Sequence, residues 1–223
     1  MVKPPPDLFG LIKIYLPDWA PSLVFDVGAN VGQTVADVVR RFPDCKVHAF
    51  EPSPASFRQL ALATSGFPNV TAHACALGRH PATLGMIENG TSTMNRLLPA
   101  NSQTNDSTPM VKVRTGADVV RELDAPRIDL LKIDTEGHDY EVLVGFLPVI
   151  QQVDFIQVEA AMNPYNKTHR PLRLFEDLLW HEGFYLFHMF EQTMEWKRGG
   201  RPVLRRCNPV FINGRHLNLD KIA

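Results

Sequence analysis

Five acids occupy chemically useful places in this sequence: Asp26, Glu51, Asp134, Glu136 and Glu159. Each lies in or just after a short apolar run of the kind that forms a buried strand. In open α/β sheets the carboxyl ends of strands are where ligands bind. A carboxylate there can accept hydrogen bonds from neighbouring hydroxyls, hold a cationic group or take up a proton. Lys132 precedes Asp134 by two residues and so shares its strand face. A lysine in such a run needs an acid to pair with. The other chemically suggestive stretch is Gly28-Ala29-Asn30-Val31-Gly32, directly after the run Leu23 to Val27. Gly28 permits a backbone conformation that a Cβ resists, and Gly32 lets chain or ligand come close. The first N–H groups of the following helix have no internal partners and are open to a ligand.

Spacing narrows the ligand. Glu51 closes the next strand-like run, roughly 20 residues past the turn, where dinucleotide enzymes grip ribose hydroxyls. The turn itself departs from Gly-x-Gly-x-x-Gly. Asn30 stands in place of the close-approach glycine, and Asp26 brings a negative charge that disfavours phosphate. A nucleoside with a cationic amino-acid tail and no phosphate suits the site better, and S-adenosylmethionine is such a molecule.

Positioning these residues requires an alternation of strands and helices. The pattern predicts a short helix at 8–16, a strand at 23–27, a helix at 31–42, a strand at 46–50, a helix at 54–64 and a strand at 70–77. Two short β segments follow, 83–87 and 110–114, separated by a Ser-, Thr- and Asn-rich stretch. Its part from Pro99 to Pro109 is either a disordered loop or a lid over a site. A helix at 116–123, strands at 128–133 and 153–158, and helices at 138–146 and 172–181 come next. The runs 183–190 and 203–212 read as an antiparallel pair turning at Gly199-Gly200. The expected fold class is α/β, a mostly parallel Rossmann-like sheet closed by an antiparallel hairpin. An N-terminal helical extension covers 1–22. A single domain covers 23–223, with a β insertion and polar loop at about 81–114.

Composition sets bounds. The chain has 223 residues, 44% of them hydrophobic, and a formal net charge of −1. One core of ordinary size is expected, and no global attraction to nucleic acid. Lys197, Arg198, Arg201, Arg205, Arg206 and Arg215 form a local basic stretch, read as a solvated hairpin face or a site for an anion. Three widely spaced cysteines, Cys45, Cys75 and Cys207, lack metal-like spacing and suggest a reducing, cytoplasmic location. No segment has transmembrane length, and with no secretion signal in view the four Asn-x-Ser/Thr triplets are read as chance matches.

Three motifs carry a family resemblance: Phe25-Asp-Val-Gly-Ala-Asn-Val-Gly32, Ala49-Phe-Glu-Pro52 and Leu131-Lys-Ile-Asp-Thr-Glu-Gly137 with Val142-Leu143. They resemble the FkbM-type methyltransferases, S-adenosylmethionine-dependent enzymes with a seven-stranded Rossmann-like fold that mostly methylate hydroxyls of sugars, polyketides and similar metabolites. Thr115-Gly-Ala-Asp118 departs from the family's usual Thr-Leu-Asp. The resemblance implies that Asp26, Gly28, Ala29, Asn30 and Gly32 surround the methionine part of the cofactor. Glu51 and Pro52 meet the ribose, and Ala76 and Leu77 lie near adenine. Asp134 faces the cofactor's amino group or the transfer site.

A hydroxyl acceptor must lose a proton, so a base or a metal is required. The catalytic candidates are Asp134, Glu136, Glu159 and Lys132, the last as the ion-pair partner of Asp134; His138 is a further candidate base. Asp134 and Glu159 are the pair considered for sharing a divalent cation, but oxygen-only ligation has no diagnostic spacing and no metal is assigned. Asn163, Tyr165, Asn166, His169 and Arg170 form a polar loop read as facing substrate. The expected partner is a small-molecule or glycan acceptor. The competing readings are a nicotinamide-dependent oxidoreductase and a non-catalytic interaction domain of the same fold.

Overall fold

A computed structural model describes residues 7–91, 95–99, 101–195 and 202–217. The chain opens on α1 (Leu8–Tyr15), capped by Asp7, whose side chain accepts from the Gly10 N–H. The alternation then runs β1 (Leu23–Val27), α2 (Gln33–Arg41), β2 (Lys46–Phe50), α3 (Pro54–Thr64) and β3 (Val70–His73). Ser53 caps α3 through its hydroxyl, with Pro54 in the first turn.

The expected strand at 70–77 divides. The Cys75 N–H bonds back to the His73 carbonyl, and the chain turns out of the first sheet. Its continuation, β4 (Ala76–Leu77), joins β5 (Ala82–Ile87), β6 (Arg96–Leu97) and β7 (Met110–Arg114) in a separate four-stranded sheet of order β4-β7-β5-β6. Side chains of Leu98, Thr104 and Thr108 pack over Gly85, so part of the polar stretch lies against β5.

The alternation resumes with α4 (Gly116–Glu122), β8 (Ile128–Ile133), α5 (Asp139–Phe146), β9 (Val153–Gln157), β10 (Ala160–Ala161) and α6 (Leu172–His181). It ends on β11 (Phe184–Met194) and β12 (Leu204–Asn213), an antiparallel pair. The expected turn at Gly199-Gly200 lies outside the described residues. The main sheet runs β10-β12-β9-β8-β1-β2-β3, with β11 added on β12. Strands β9, β8, β1, β2 and β3 are parallel. Eight strands are thus described where seven were expected. The difference lies at the β12 end, where the two-residue β10 and the long β11 both pair with β12.

Both faces of this sheet are buried, as the continuous apolar runs of β1 and β8 require. Phe25, Val27, Leu131 and Ile133 face α4, α5 and α6 through Val120, Phe146 and Phe175. Val24 and Leu130 face the other way, with Phe9, Ile12, Val35, Val38 and Leu60 of α1, α2 and α3. All three cysteines are free and buried, and burial pushes the Cys207 thiol up to about 11. Among the described residues no helix is long and apolar enough to cross a membrane.

Candidate active site

Strand order reverses between β1 and β8. In doubly wound sheets this switch point is where a crevice opens beyond the strand ends. A cleft of about 540 Å³ lies there. Gly28 and Asn30 from the β1–α2 turn, Glu51 and Pro52 after β2, and Ala76 and Leu77 of β4 line it. Asp134, Thr135, Glu136 and His138 after β8 form the facing wall. Met86, Asn95, Arg96 and Leu97 reach in from the smaller sheet.

The glycine turn is left-handed at Gly28 (φ 84°), Asn30 (φ 49°) and Gly32 (φ 95°). At Gly28 the reason is contact with the next strand: the Asp134 carbonyl fills the space a Cβ would need. Helix α2 starts at Gly32 without a side-chain cap. Asn30 donates its backbone N–H to Glu51 Oε2 at 2.8 Å, and Ser53 donates its own to Glu51 Oε1 at 2.8 Å. Glu51 is therefore buried and held by both oxygens, each keeping a lone pair for a ligand. Burial raises its pKa, opposed by those two N–H groups.

Asp26 and Lys132 are register partners across β1 and β8. Lys132 Nζ lies 3.4 Å from Asp26 Oδ1 and 3.2 Å from Asp134 Oδ2. Burial pulls the lysine's pKa down, but the two carboxylates outweigh it and raise it, so the ammonium stays protonated. Asp26 is wholly buried behind the cleft wall, and its Oδ2 makes no hydrogen bond among the described residues.

Of the cofactor residues expected from sequence, Gly28, Asn30, Glu51, Pro52, Ala76, Leu77 and Asp134 share this wall. Asp26, Ala29 and Gly32 support it from behind, Ala29 within the core and Gly32 against Leu60. Glu136 lies on the wall with φ 52°, and burial, then the nearby Asp134, raises its pKa. It also lines an adjoining hollow with Arg96, Gly137, His138, Lys167 and Thr168.

Glu159 lies apart from the cleft wall. Its Oε2 is 3.0 Å from His169 Nε2, which is 3.9 Å from Glu136 Oε2. The Arg206 guanidinium pairs with its other oxygen. Burial, then Arg205, lowers the pKa of His169. Asp139 ties these loops together: it accepts the Glu159 N–H through one oxygen and the Thr135 hydroxyl through the other. Burial pushes its carboxyl up to about 7.

In the polar loop after Glu159, Asn163, Asn166 and His169 line a hollow together with Met162, Lys167 and Arg173. Asn163 and Asn166 donate side-chain N–H groups to the Leu204 and Arg205 carbonyls, and the Asn166 oxygen accepts from Thr168 and His169. These bonds fasten that side of the hollow to β12. Within the basic stretch, Arg206 neutralises Glu159 and Arg215 neutralises Asp154. Lys197, Arg198 and Arg201 lie outside the described residues. Arg96, Asn95 and Met86 were missed as wall residues, because nothing in the spacing of the insertion announces which part of it folds over the cleft.

The profile of the Methyltransferase FkbM domain matches residues 26–201. "Methyltransferase 1" of Beauveria bassiana is 31% identical over 144 residues, covering 56% of this chain and 58% of that protein. The hexuronic acid methyltransferase AglP of Haloferax volcanii is 28% identical over 154 residues, covering 66% of this chain and 60% of its own length. The chain thus spans about three fifths of these relatives. Among solved structures, methyltransferase FkbM from Methylobacillus flagellatus superposes with a TM-score of 0.52 at 16% identity, over 86% of this chain and 43% of that one. M. capricolum TrmK, in complex with S-adenosyl-homocysteine, gives 0.51 at 9% identity over 92% and 68%. These neighbours show a Rossmann-like methyltransferase fold, and the match over residues 26–201 places the chain in the FkbM methyltransferase family.

Proposed function

We propose that this protein is an S-adenosylmethionine-dependent methyltransferase acting on a hydroxyl of a small molecule or sugar. The observation that carries the reading is the buried Glu51 carboxylate on the cleft wall, anchored by Asn30 and Ser53. It shares that wall with Asp134 and Glu136, and behind the wall one ammonium, Lys132, is shared by the Asp26 and Asp134 carboxylates. That charge pattern favours a ribose diol with a cationic tail and opposes a pyrophosphate. Asn30 Oδ1, buried at the turn without a hydrogen bond among the described residues, is an acceptor available to the tail's ammonium.

Bound there, the cofactor supplies an electrophilic methyl group, and only its alignment with the acceptor oxygen and release of the acceptor's proton are left to the protein. Gly28 and Asn30 border the methionine end; Ala76, Leu77 and Phe50 offer an apolar surface for adenine. The adjoining hollow receives the acceptor. Glu136 lines both spaces and Asp134 the cleft beside it, and one of these carboxylates accepts the hydroxyl proton. Lys132 remains charged and orients Asp134. The relative that methylates a hexuronic acid supports a sugar acceptor.

A thermal-shift panel tests the reading. S-adenosylhomocysteine at about 100 times its Kd stabilises the protein by about 2.7 kcal/mol. Stabilisation by NAD or NADP alone would instead establish the oxidoreductase reading, and no effect from any of them the interaction-domain reading.

A further inference from the structure

We propose that Glu136, Glu159 and His169 bind a divalent transition-metal cation at the border of the cofactor cleft and the acceptor hollow. Its place on the acceptor side rests on the methyltransferase reading above; the site itself does not.

The three side chains each offer a ligand atom, and these atoms lie within 4.8 Å of one another. Cations bound by carboxylate oxygen and imidazole nitrogen sit about 2.0–2.2 Å from each ligand, so ligand atoms of one site are close neighbours. Glu159 is 2% exposed and the His169 side chain 5%. Among the described residues the contacts of the Glu159 oxygens are the ion pairs with Arg206 and His169, and His169 Nδ1 has no hydrogen-bond partner. A buried imidazole nitrogen left without a partner is costly, and a cation bound through the ring would satisfy it.

Independent anchors hold the ligands in place. The Thr168 carbonyl fills the space of a Cβ on Gly137 (φ 103°), pressing the His169 loop against the Glu136 loop. Asn166 accepts the His169 N–H, and Asp139 accepts that of Glu159. Glu136 is held at positive φ, a conformation that costs free energy in a residue other than glycine and concentrates at functional sites.

Charge gives the second argument. Two carboxylates converge, and the cation touching Glu159 is the Arg206 guanidinium. Arg205 acts on Glu136 and His169 without a close ion pair among the described residues, so the direct contact of a guanidinium is with one carboxylate, whereas a divalent cation would contact both. The Arg206 side chain is 35% exposed and has solvent to turn into when displaced. The mixture of two oxygens and one nitrogen suits Mn²⁺, Fe²⁺ or Zn²⁺ better than Ca²⁺ or Mg²⁺. An acceptor oxygen placed on such a cation would lose its proton more readily, and with Glu136 engaged Asp134 is left to take it.

The test is a titration of the chelator-treated full chain with Mn²⁺, followed by electron paramagnetic resonance, and with Zn²⁺ by calorimetry. S-adenosylhomocysteine binding is measured in parallel without metal. One saturable site is expected, weakened at least tenfold in Glu159→Gln and in Glu136→Gln and tightened in Arg206→Gln, where the competing cation is gone. Circular dichroism identifies any variant that has unfolded, and the others then decide. Absence of saturable binding of either metal, or binding indifferent to both glutamine variants, overturns the cation site. If S-adenosylhomocysteine still binds in that case, the cofactor reading stands alone; if metal binds and S-adenosylhomocysteine does not, the cofactor reading fails and the cation site stands.

Discussion

The carbonyl of Asp134 occupies the space that a Cβ on Gly28 would need, so the peptide just after β8 rests on the first turn of the cleft. The Asp134 N–H completes the contact by donating to the Val27 carbonyl at 2.9 Å. The Gly28→Ala variant must move that backbone and also hold alanine at a φ of 84°. A loss of more than about 3 kcal/mol in urea unfolding is expected. An unchanged midpoint would refute this account of the glycine.

Lys132 neutralises Asp26, which has no exposure to water. Removing the ammonium leaves a buried carboxylate unpaired, at a cost of about 3–5 kcal/mol. Lys132→Met is therefore expected to destabilise strongly, and the double variant Asp26→Asn/Lys132→Met to recover part of the loss. Additive effects in a double-mutant cycle would contradict the pairing.

Glu51→Gln keeps size but turns an amide N–H₂ toward one of two backbone donors. Affinity for S-adenosylhomocysteine is expected to fall at least tenfold, about 1.4 kcal/mol, by calorimetry. Equal affinity would remove Glu51 from the ribose.

Asp134→Asn removes a proton acceptor from the wall while keeping its shape. Turnover with a hydroxyl acceptor found by screening with labelled cofactor is expected to drop about 10²-fold or more. The loss in S-adenosylhomocysteine affinity should be smaller. A change confined to affinity would assign Asp134 to cofactor binding alone.

His48 on β2 and His73 on β3 lie with Nδ1 and Nε2 2.9 Å apart. Burial, then His73, pushes His48 from 6.5 down to about 4, and burial also lowers His73. Between these values the unfolded chain binds protons that the folded one does not. The stabilising contribution is thus complete above about pH 6.5 and lost as pH falls toward 4, with a slope per group of up to about 1.4 kcal/mol per pH unit. His48→Gln is expected to flatten stability against pH in that window, as followed by urea unfolding.

Much of the cofactor half was legible because its signals are local. The apolar run before Gly28, the turn itself and Glu51 closing the next strand are consecutive features of the chain, and a parallel sheet brings adjacent strand ends together. The break of the 70–77 strand was not legible: Ala76 and Leu77 are apolar either way, and their pairing with Val113 and Arg114 is set by a segment far along the chain.

The sequence by itself determined the alternating α/β order, the family motifs and the acids that end the strands. Tertiary structure alone decided which of those acids meet. Glu136 and Glu159 end different strands, yet they converge on His169 because Gly137 accepts the Thr168 carbonyl and Asn166 ties the loop to β12. Such contacts depend on the approach of loops distant in sequence, and steric fit between backbones leaves no periodic trace in residue order.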